Sequence, residues 1–529
     1  MAGDEKASVV DTVQVFKKVA DNFLTRSLLT RLSGFCEKDE SNRLEVALEL
    51  YIGLRKHACL KCRLAKRLLA PIVNVGAKAF GVSQEKLKSK FSDPYWRRGL
   101  VNVIKGIAWF GVTKPYTPGA PFQIVWNITR ACNLRCIHCY ERSEPGIPVK
   151  GELTTEEAMR GIDVLSKAGV VIIAFSGGEP TIRPDMLHLV KHAAKRGIYV
   201  AMATNAIAFA SREKVKEYKQ AGLQFVQISL DGVNPETHDS FRGVPGAFEK
   251  TVQGIKNCVA EELFVEVAAT ATRYNYEEIP ELVGFADKLG ADWFMLYNFV
   301  PTGRGRDIAK ADLTPEEREA LLITCWNMLK SRRINVLSTA PYFARIAQET
   351  EEGKIWKRIN SDPELGRIMK VEPLEAGEAV PRQLSYEMII PTHFYNPKFT
   401  GQLIRLADFI GGCGAGRFYI SIEPNGDIYP CVFFPHDEDV RIGNILKDDF
   451  EELWKKHQLL KMLRNKDILT ENCGSCEYKY TCGGCRARAY GYFRDILAPD
   501  PGCILNKEYW LKIRGETKPQ DNDKPQAYI

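Results

Sequence analysis

The sequence is arranged around one nonapeptide, Cys132-Asn133-Leu134-Arg135-Cys136-Ile137-His138-Cys139-Tyr140. It places three cysteines at C-x3-C-x2-C spacing, directly after the apolar run 122–129. Three thiolates can hold three irons of a [4Fe–4S] cube and leave the fourth iron open for a substrate or cofactor. The alternatives are a zinc knuckle or buried thiols, but a structural zinc site needs a fourth protein ligand close by. The spacing therefore favours an iron–sulfur site with one open position.

Length and composition are those of a globular protein with more than one domain. The chain has 529 residues, of which 45% are hydrophobic and 26% are charged. Its polar start does not resemble a signal peptide, and no uninterrupted apolar stretch reaches membrane-spanning length. We therefore expect a cytoplasmic location. In such a reducing compartment, 15 cysteines in tight clusters indicate metal ligation and not disulfides, and exposed clusters would suit an anaerobic host.

The net charge of +7 is unevenly distributed. Residues 1–120 hold 21 Lys and Arg against 11 Asp and Glu, whereas the remaining residues hold 52 against 55. This N-terminal extension has apolar residues at helical spacing, and residues 64–80 form a basic, amphipathic pattern. Such a helix can lie on an anionic membrane surface, which predicts peripheral contact of residues 1–120 with the inner membrane. The alternative, compatible with the first, is a packed helical cap on the catalytic domain; no nucleic-acid partner is expected.

From residue 121 to 306, short apolar strands alternate with helical patterns. The six predicted strands are 122–129, 170–175, 198–204, 225–230, 265–272 and 293–299. A predicted helix over 155–168 begins at a capping box of Thr154 and Glu157 and ends at Gly169. Six such units predict an α/β fold with a parallel sheet and right-handed crossovers.

The remainder of the chain divides into three parts. Residues 307–410 are expected to form a helical connection followed, from about residue 341, by an irregular insertion rich in proline and aromatic residues. Residues 411–514 form a cysteine-rich module, and the polar tail 515–529 is expected to be disordered.

Glycines and polar residues follow three of the predicted strands, and barrel enzymes collect their active sites at the carboxyl ends of strands. Gly177 and Gly178 would let the backbone approach a ligand closely, and Glu179 could receive an ammonium group. Polar side chains at the next two strand ends could bond the ribose and carboxylate of a nucleoside cofactor; these are Asn205, Ser229 and Asp231. The alternative for those three residues is turn chemistry and strand-end capping.

With the Gly-Gly-Glu-Pro turn one strand later, the nonapeptide resembles the signature of the radical S-adenosylmethionine (SAM) superfamily. The resemblance implies a partial (β/α)6 barrel and a [4Fe–4S] cluster on Cys132, Cys136 and Cys139, with SAM on the open iron. It also implies a set of SAM contacts, namely Tyr140, Gly177, Gly178, Glu179, Asn205, Ser229 and Asp231. The expected chemistry is reductive cleavage of SAM to a 5′-deoxyadenosyl radical, with electrons from a low-potential donor of the ferredoxin or flavodoxin type.

The cysteine-rich module resembles the SPASM domain, which holds auxiliary [4Fe–4S] clusters. The resemblance implies an outer cluster on Cys473, Cys476, Cys482 and Cys503. It implies an inner cluster on Cys413, Cys431 and Cys485, whose fourth iron would be open or bound by another residue type. A zinc ribbon or a rubredoxin-like iron, built from the paired C-x2-C elements, is the alternative.

Three strings resemble the heme-biosynthesis branch of these enzymes, namely 237–243, 299–305 and 482–488. Members of that branch act on propionate side chains of tetrapyrroles. Arg242, Arg304 and Arg306 could therefore meet an anionic substrate group, or they could be solvated loop residues.

The leading hypothesis is a radical SAM/SPASM enzyme that activates a C–H bond of a large apolar or amphiphilic substrate. That substrate would be a membrane lipid, cross-linked through carbon, or a tetrapyrrole heme precursor; the basic extension and the aromatic insertion favour the lipid. A peptide-modifying maturase is an alternative, because peptides are common clients of SPASM enzymes. A non-catalytic iron–sulfur electron carrier is an alternative of another class, and the turn at Gly177 argues against it because a carrier needs no SAM pocket.

The extension contains a separate cysteine set with C-x22-C-x2-C spacing, Cys36, Cys59 and Cys62. It could bind a further metal if a fourth ligand came from elsewhere, or it could be a set of buried thiols. Cys258 and Cys325 lie on helical patterns and are expected in the core.

Overall fold

The computed structural model describes residues 22–79, 83–146, 150–369 and 411–515. Three expectations therefore fall wholly or partly outside the described residues: the first helical pattern of the extension, most of the insertion before residue 410, and the polar tail.

The described part of the N-terminal extension is mostly helical, as its apolar spacing predicts, and a short hairpin precedes four of its five helices. The hairpin pairs β1 (Phe35–Cys36) with β2 (Ser41–Asn42) in antiparallel register. The helices are α1 (Phe23–Leu32), α2 (Arg43–Ile52), α3 (Leu60–Ala79), α4 (Gln84–Ser92) and α5 (Pro94–Phe110). Helices α2 and α3 pack together through buried Leu44, Leu48, Ala65 and Leu69.

The six predicted strands are all present, and they are parallel. They are β3 (Gln123–Asn127), β4 (Ile172–Ser176), β5 (Tyr199–Thr204), β6 (Leu223–Ser229), β7 (Phe264–Ala271) and β8 (Trp293–Asn298). The helices that follow them are α6 (Thr155–Ala168), α7 (Met186–Lys195), α8 (Arg212–Ala221), α9 (Pro235–Arg242), α10 (Ala247–Ala260) and α11 (Ile279–Lys288). Helix α6 begins at the capping box of Thr154 and Glu157 and ends at left-handed Gly169, as predicted.

The structure adds strands at both edges of this sheet. After α12 (Pro315–Ser331), strand β9 (Asn335–Ser338) pairs in parallel with β8, within a segment that we had expected to be helical. From the cysteine-rich module, β10 (Tyr419–Ile422) pairs in parallel with β3 and continues into β11 (Asp427–Tyr429) and β12 (Gly443–Asn444). Within the described residues the sheet order is β12-β11-β10-β3-β4-β5-β6-β7-β8-β9. The cysteine-rich module is therefore built onto the barrel edge.

The remaining helices flank the barrel and form the module. Residues 343–369, expected to be irregular, form α13 (Phe343–Glu351), α14 (Lys354–Ser361) and α15 (Pro363–Met369). The module contains α16 (Phe450–Lys456), α17 (Gln458–Arg464), α18 (Glu471–Ser475), α19 (Arg486–Phe493) and α20 (Lys507–Arg514).

Helix α5 closes the barrel at the amino ends of the strands. The ring of Tyr95 lies 5.5 Å from that of Tyr199 and 6.0 Å from that of Phe122. The buried guanidinium of Arg98 donates to the carbonyls of Ser166 at 2.8 Å and Val170 at 3.1 Å. These contacts support the packed-cap interpretation for α5. None of the described helices combines the length and the apolarity needed to cross a membrane.

Candidate functional site

A cavity of about 240 Å³ lies at the carboxyl ends of the strands, between the nonapeptide and the cysteine-rich module. It brings together residues that are distant in sequence: the three cysteines of the nonapeptide, Tyr140, Gly177, Gly178, Asn205, Ser229, Cys413, Cys431 and Cys485. A larger cavity of about 830 Å³ lies at the opposite end of the barrel. It is lined by turns such as those at Gly197 and Gly222, and no cysteine is among its described lining residues. The smaller cavity is therefore the candidate site.

The cysteines of the nonapeptide are shielded from water. Cys132 is buried, and Cys136 and Cys139 are half-buried. Burial raises the pKa of the Cys132 thiol to about 12, and it raises that of Cys139 to about 11. Such thiols become thiolates when a metal cation offsets the cost of a buried negative charge.

The spacing of these three sulfurs discriminates between a cluster and a single ion. Across the described residues, three or more potential ligand atoms come within 4.8 Å of one another at two places, and neither includes Cys132, Cys136 or Cys139. A tetrahedral zinc ion, with bonds of about 2.3 Å, would draw its sulfurs to roughly 3.8 Å from one another. A four-iron cube binds each thiolate to a different iron and needs a wider spacing. The spacing of the Cys132, Cys136 and Cys139 sulfurs therefore fits a four-iron cluster better than a single zinc ion.

The two glycines of the Gly-Gly-Glu-Pro turn lie against the segment that leads into the nonapeptide. The Gly178 amide donates to the Thr129 carbonyl at 2.7 Å, and the Glu179 amide donates to the Ala131 carbonyl at 2.9 Å. A Cβ on Gly178 would lie 2.0 Å from the Ala131 oxygen, and Gly177 has a φ of +122°. Only glycine fits these positions, because a side chain would separate the turn from the cysteine loop.

Glu179, predicted to contact SAM, is not on the cavity wall in this structure. Its Oε1 accepts from the Thr204 hydroxyl at 2.8 Å and from the Thr181 amide at 3.0 Å, and its Oε2 accepts from the Asn205 amide at 2.8 Å. Burial raises the pKa of Glu179, against the effect of those donors. The carboxyl group thus braces the turn against the end of β5.

Asp231 is also buried away from the cavity wall, where it pairs with Arg242. Its Oδ1 accepts from the Thr270 amide at 2.9 Å. Burial alone would lower the pKa of Arg242, but Asp231 and Cys136 outweigh it and raise that pKa. The Arg242 Nη1 atom lies 3.6 Å from the Cys136 Sγ atom. Arg242 also lines the cavity, so its predicted contact with a substrate anion stays a prediction.

Arg304 is likewise committed to the cysteine loop. Its Nη1 donates to the Cys136 carbonyl at 2.8 Å, and its backbone amide donates to the Cys139 carbonyl at 2.8 Å. A Cβ on the preceding residue, Gly303, would lie 2.1 Å from the Tyr140 oxygen. The string around Arg304 therefore clamps the nonapeptide, and the contact of Arg304 with a substrate anion stays a prediction.

Aromatic residues close one side of the cavity. The Tyr140 hydroxyl lies 2.8 Å from the Ser176 hydroxyl and donates to Asn127 Oδ1 at 3.2 Å. The ring of Phe433 lies 5.5 Å from that of Tyr140 and 5.8 Å from that of Tyr297. Sequence analysis missed Phe433 and Tyr297. The alternation of inward residues along β8 could have identified Tyr297, whereas nothing in the sequence brings Phe433 to the barrel.

A buried acidic pair lies behind Tyr140. Asn127 donates from Nδ2 to Glu141 at 2.7 Å and to Glu423 at 3.0 Å. His436 Nε2 lies 3.2 Å from Glu423 and 3.5 Å from Glu141. Burial and the neighbouring Glu423 raise the pKa of Glu141 to about 8. For His436, burial alone would lower the pKa, but the carboxyl groups of Glu423 and Glu141 outweigh burial and raise that pKa to about 9. Glu141 and Glu423 therefore hold the Asn127 side chain, which in turn positions Tyr140.

The seven cysteines of the module divide between the cavity and the region beyond it. Cys413, Cys431 and Cys485 line the cavity. The other four are not on its wall, and they are Cys473, Cys476, Cys482 and Cys503. The pKa of Cys482 is raised well above its ordinary value by burial, with further contributions from Cys503 and Cys473.

Buried cations lie beside the sulfurs of the module. The ammonium group of Lys466 is buried and has no hydrogen-bond partner among the described residues. Burial lowers the pKa of Lys466 to about 8, while nearby Cys413 and Cys482 oppose that shift. The Arg486 Nη2 atom lies 3.9 Å from the Cys473 Sγ atom. Buried positive groups beside thiols fit anionic thiolate-bound clusters, which would supply the missing counter-charge.

The buried carboxyl group of Glu266 gives a test of how burial changes a pKa near the cavity. It is buried in β7, and its side chain accepts a hydrogen bond from Gln227, whose side chain lines the cavity. Burial raises the pKa of Glu266 from 4.5 to about 7. The folded protein therefore keeps this proton at pH values where the unfolded chain has lost it. The stability due to this group is complete below pH 4.5 and is lost as the pH rises to about 7.

Replacing Glu266 with Gln is expected to remove this pH dependence. Between about pH 5.5 and pH 8, the unfolding free energy of the wild type should fall by about 2 kcal/mol relative to the variant, at 1.36 kcal/mol per pKa unit. Anoxic urea unfolding of both proteins across that range would measure the difference. Parallel pH profiles would contradict a raised pKa at Glu266.

Comparison with known proteins identifies two family regions. The radical SAM superfamily matches residues 126–286, and the iron–sulfur cluster-binding SPASM domain matches residues 413–477. The AdoMet-dependent heme synthase of Methanosarcina barkeri is 33% identical over 386 residues, which is 73% of this chain and 97% of the relative. The mycofactocin maturase MftC of Mycobacterium tuberculosis is 30% identical over 73% of this chain and 83% of its own length.

Among solved structures, Streptococcus suis SuiB bound to its precursor peptide SuiA matches with a TM-score of 0.54 at 17% identity. The match covers 88% of this chain and 95% of SuiB. At that identity the similarity shows a shared fold.

Proposed function

This chain belongs to the radical SAM superfamily and carries a SPASM domain, and we propose that it activates a C–H bond in the apolar part of a membrane lipid. It is an enzyme that uses [4Fe–4S] clusters and SAM. The observation that carries the proposal is the cavity, whose wall between Cys136 and Cys485 is rich in apolar side chains. Among these are Val125, Leu134, Met202, Val300, Val432 and Phe433. An apolar wall suits an alkyl chain better than a charged substrate.

The residues of this chain have separate tasks in the proposed reaction. When bound, the cluster and SAM supply one-electron chemistry that yields a hydrogen-abstracting radical. Cys132, Cys136 and Cys139 would hold that cluster, and Arg242 keeps a positive charge beside Cys136. Gly177 and Gly178 let their turn pack directly against the segment that leads into the nonapeptide, and the aromatic side of the cavity would exclude water from the substrate.

The auxiliary cysteines would frame the cavity from the other side. Cys413, Cys431 and Cys485 would hold the inner auxiliary cluster, and Cys473, Cys476, Cys482 and Cys503 the outer one. Electrons would come from a low-potential donor of the ferredoxin or flavodoxin type, because one-electron chemistry at such a site needs an external reductant.

Helix α3 supports a lipid substrate drawn from a membrane surface. Leu60, Leu64 and Leu68 recur at every fourth position and are 75%, 54% and 38% exposed. Exposed cations flank this row of leucines at Lys61 and Arg63. A row of exposed leucines beside basic residues is typical of a helix that lies on an anionic bilayer. We infer peripheral contact of the extension with the cytoplasmic face of the membrane.

Replacing Leu64 with Glu is expected to weaken binding to vesicles of anionic phospholipid at least tenfold, because it removes an exposed leucine that would insert into the bilayer and adds a charge that the bilayer repels. Co-sedimentation of the full chain with such vesicles would measure the affinity. Leu505→Glu is the matched control, since Leu505 is 40% exposed in the cysteine-rich module and should leave binding unchanged. Equal binding of both variants and the wild type would exclude α3 as the contact.

Substrate class is tested by anoxic incubation of the reduced holoenzyme with SAM and either lipid or porphyrin extracts of the host. We expect lipid extract to stimulate formation of 5′-deoxyadenosine and to yield lipids that have lost hydrogen, detected by mass spectrometry. The Cys136→Ala variant is the background control. Stimulation by porphyrin extract alone would overturn the lipid assignment, and no 5′-deoxyadenosine under any condition would overturn C–H activation.

A tetrapyrrole heme precursor is the second candidate, favoured by the similarity to the AdoMet-dependent heme synthase. The position of Arg304 counts against it, because this arginine is engaged with the backbone of the nonapeptide and does not line the cavity. Arg242 does line the cavity, where it is paired with Asp231.

A further inference from the structure

Four potential metal ligands converge in the N-terminal extension, outside the barrel and the cysteine-rich module. Cys36 ends β1, and Asp39 lies in the turn between β1 and β2. Cys59 directly precedes α3, and Cys62 lies in the first turn of that helix. The Arg63 amide donates to the Cys59 carbonyl at 3.0 Å, so the helical hydrogen bonding begins at Cys59. Three chain segments therefore meet at one point.

The distances among these groups are those of a single-ion site. One ligand atom from each of the four residues lies within 4.8 Å of the others. The Cys36 and Cys59 sulfurs are 3.6 Å apart, and Cys36 Sγ lies 3.5 Å from Asp39 Oδ2. Sulfurs bound to one tetrahedral zinc are roughly 3.8 Å apart, which matches this spacing. A disulfide would need about 2.05 Å, and a four-iron cube would need a wider set.

The surroundings also fit a bound cation. Cys36 and Cys62 are buried and pack against Val46 and Leu50 of α2. The Asp39 carboxylate is turned inward toward the sulfurs, and both of its oxygens lie 3.2 Å from the Cys59 amide nitrogen. A bound cation would offset the negative charges that three thiolates and a carboxylate bring to one point.

We propose that Cys36, Asp39, Cys59 and Cys62 bind a single tetrahedral zinc ion that ties the β1–β2 hairpin to the start of α3. Three thiolates and one carboxylate complete a four-coordinate site with no open position, which is the arrangement of structural zinc. Sequence spacing alone provided three ligands, and the fold supplies Asp39 as the fourth. The site is independent of the chemistry at the barrel and of the identity of the substrate.

Metal analysis of the full-length protein tests the proposal. Protein produced with zinc in the medium and purified without oxygen should contain about one zinc per chain besides its cluster iron. The Cys36→Ala/Cys59→Ala variant should lose at least four-fifths of the zinc and none of the iron. Cys258→Ala/Cys325→Ala is the matched control, because these two buried thiols lie on α10 and α12 and should leave the zinc content unchanged.

Substitutions at Asp39 keep the test decisive if the double variant does not fold. Asp39→Cys replaces the carboxylate by a fourth thiolate and should retain zinc against a chelator at least as well as the wild type. Asp39→Ala should release zinc at least tenfold faster. The proposal is overturned if the wild type holds no zinc after incubation with zinc chloride. It is overturned equally if Asp39→Ala and the Cys36→Ala/Cys59→Ala variant retain zinc like the wild type, or if one iron is lost in place of zinc.

Discussion

Replacing Gly178 with alanine is expected to reduce SAM cleavage at least about 100-fold while all three cysteines of the nonapeptide remain in place. The added Cβ would lie 2.0 Å from the Ala131 oxygen and 2.6 Å from the Ala131 carbonyl carbon. Both are backbone atoms, so no side-chain rotation relieves the contact, and the two segments must separate by about 1 Å. Ala131 directly precedes Cys132. A displacement of about 1 Å near reacting groups can cost about 100-fold in rate.

Formation of 5′-deoxyadenosine by the reduced, reconstituted protein measures this effect, and the iron content shows whether the cluster is retained. Gly284→Ala is the matched control, because it makes the same chemical change in α11. There the new Cβ would lie 3.7 Å from its nearest neighbour, Arg332, at an ordinary contact distance. This variant should cleave SAM like the wild type. If Gly178→Ala retained more than a third of wild-type cleavage, the close approach of turn and cysteine loop would not matter for catalysis.

The barrel strands were predictable because local patterns specify them. Each of the six is a short apolar run, and the helices between them carry their own start and stop signals, such as Thr154 and Gly169. Strand β9 was missed because it has only four residues and follows two arginines. The pairing of β10 with β3 joins residues about 300 positions apart, and no local pattern encodes such a partner.

The candidate site was predictable where residue type itself limits the chemistry. Clustered cysteines and paired glycines have few uses, and the structure gathers both around one cavity. Charged residues were harder to interpret, because sequence shows a charge but not its partner. Arg242 pairs with Asp231, a residue that the sequence pattern had assigned to the cofactor. Asp39 belongs to no motif, so its position beside three cysteines could be recognised only in the fold.

Replacing Asp312 with Asn is expected to lower the unfolding free energy by about 3–5 kcal/mol, because it leaves the buried Arg318 guanidinium without its counter-charge and leaves Arg488 with Asp500 alone. Asp312 Oδ1 accepts from Arg318 at 2.5 Å, and its Oδ2 accepts from Arg488 and from the Tyr492 hydroxyl, the latter at 2.7 Å. Burial would raise the pKa of Asp312, but Arg318 and Arg488 outweigh it and hold that pKa below its ordinary value. The carboxylate is therefore charged in the folded protein.

This carboxylate also joins the cysteine-rich module to the barrel. Arg488 belongs to α19, and its Nη1 donates to the Phe299 carbonyl at 2.5 Å, just beyond the end of β8. Phe299 lines the cavity, so loss of the Asp312 contact should loosen the module at the site itself. Anoxic urea unfolding would measure the stability, and Asp307→Asn is the control. Asp307 pairs at 2.7 Å with Arg142 on the exposed surface, where loss of the pair should cost less than about 1 kcal/mol. Equal stability of the two variants would mean that the buried pair does not hold the module in place.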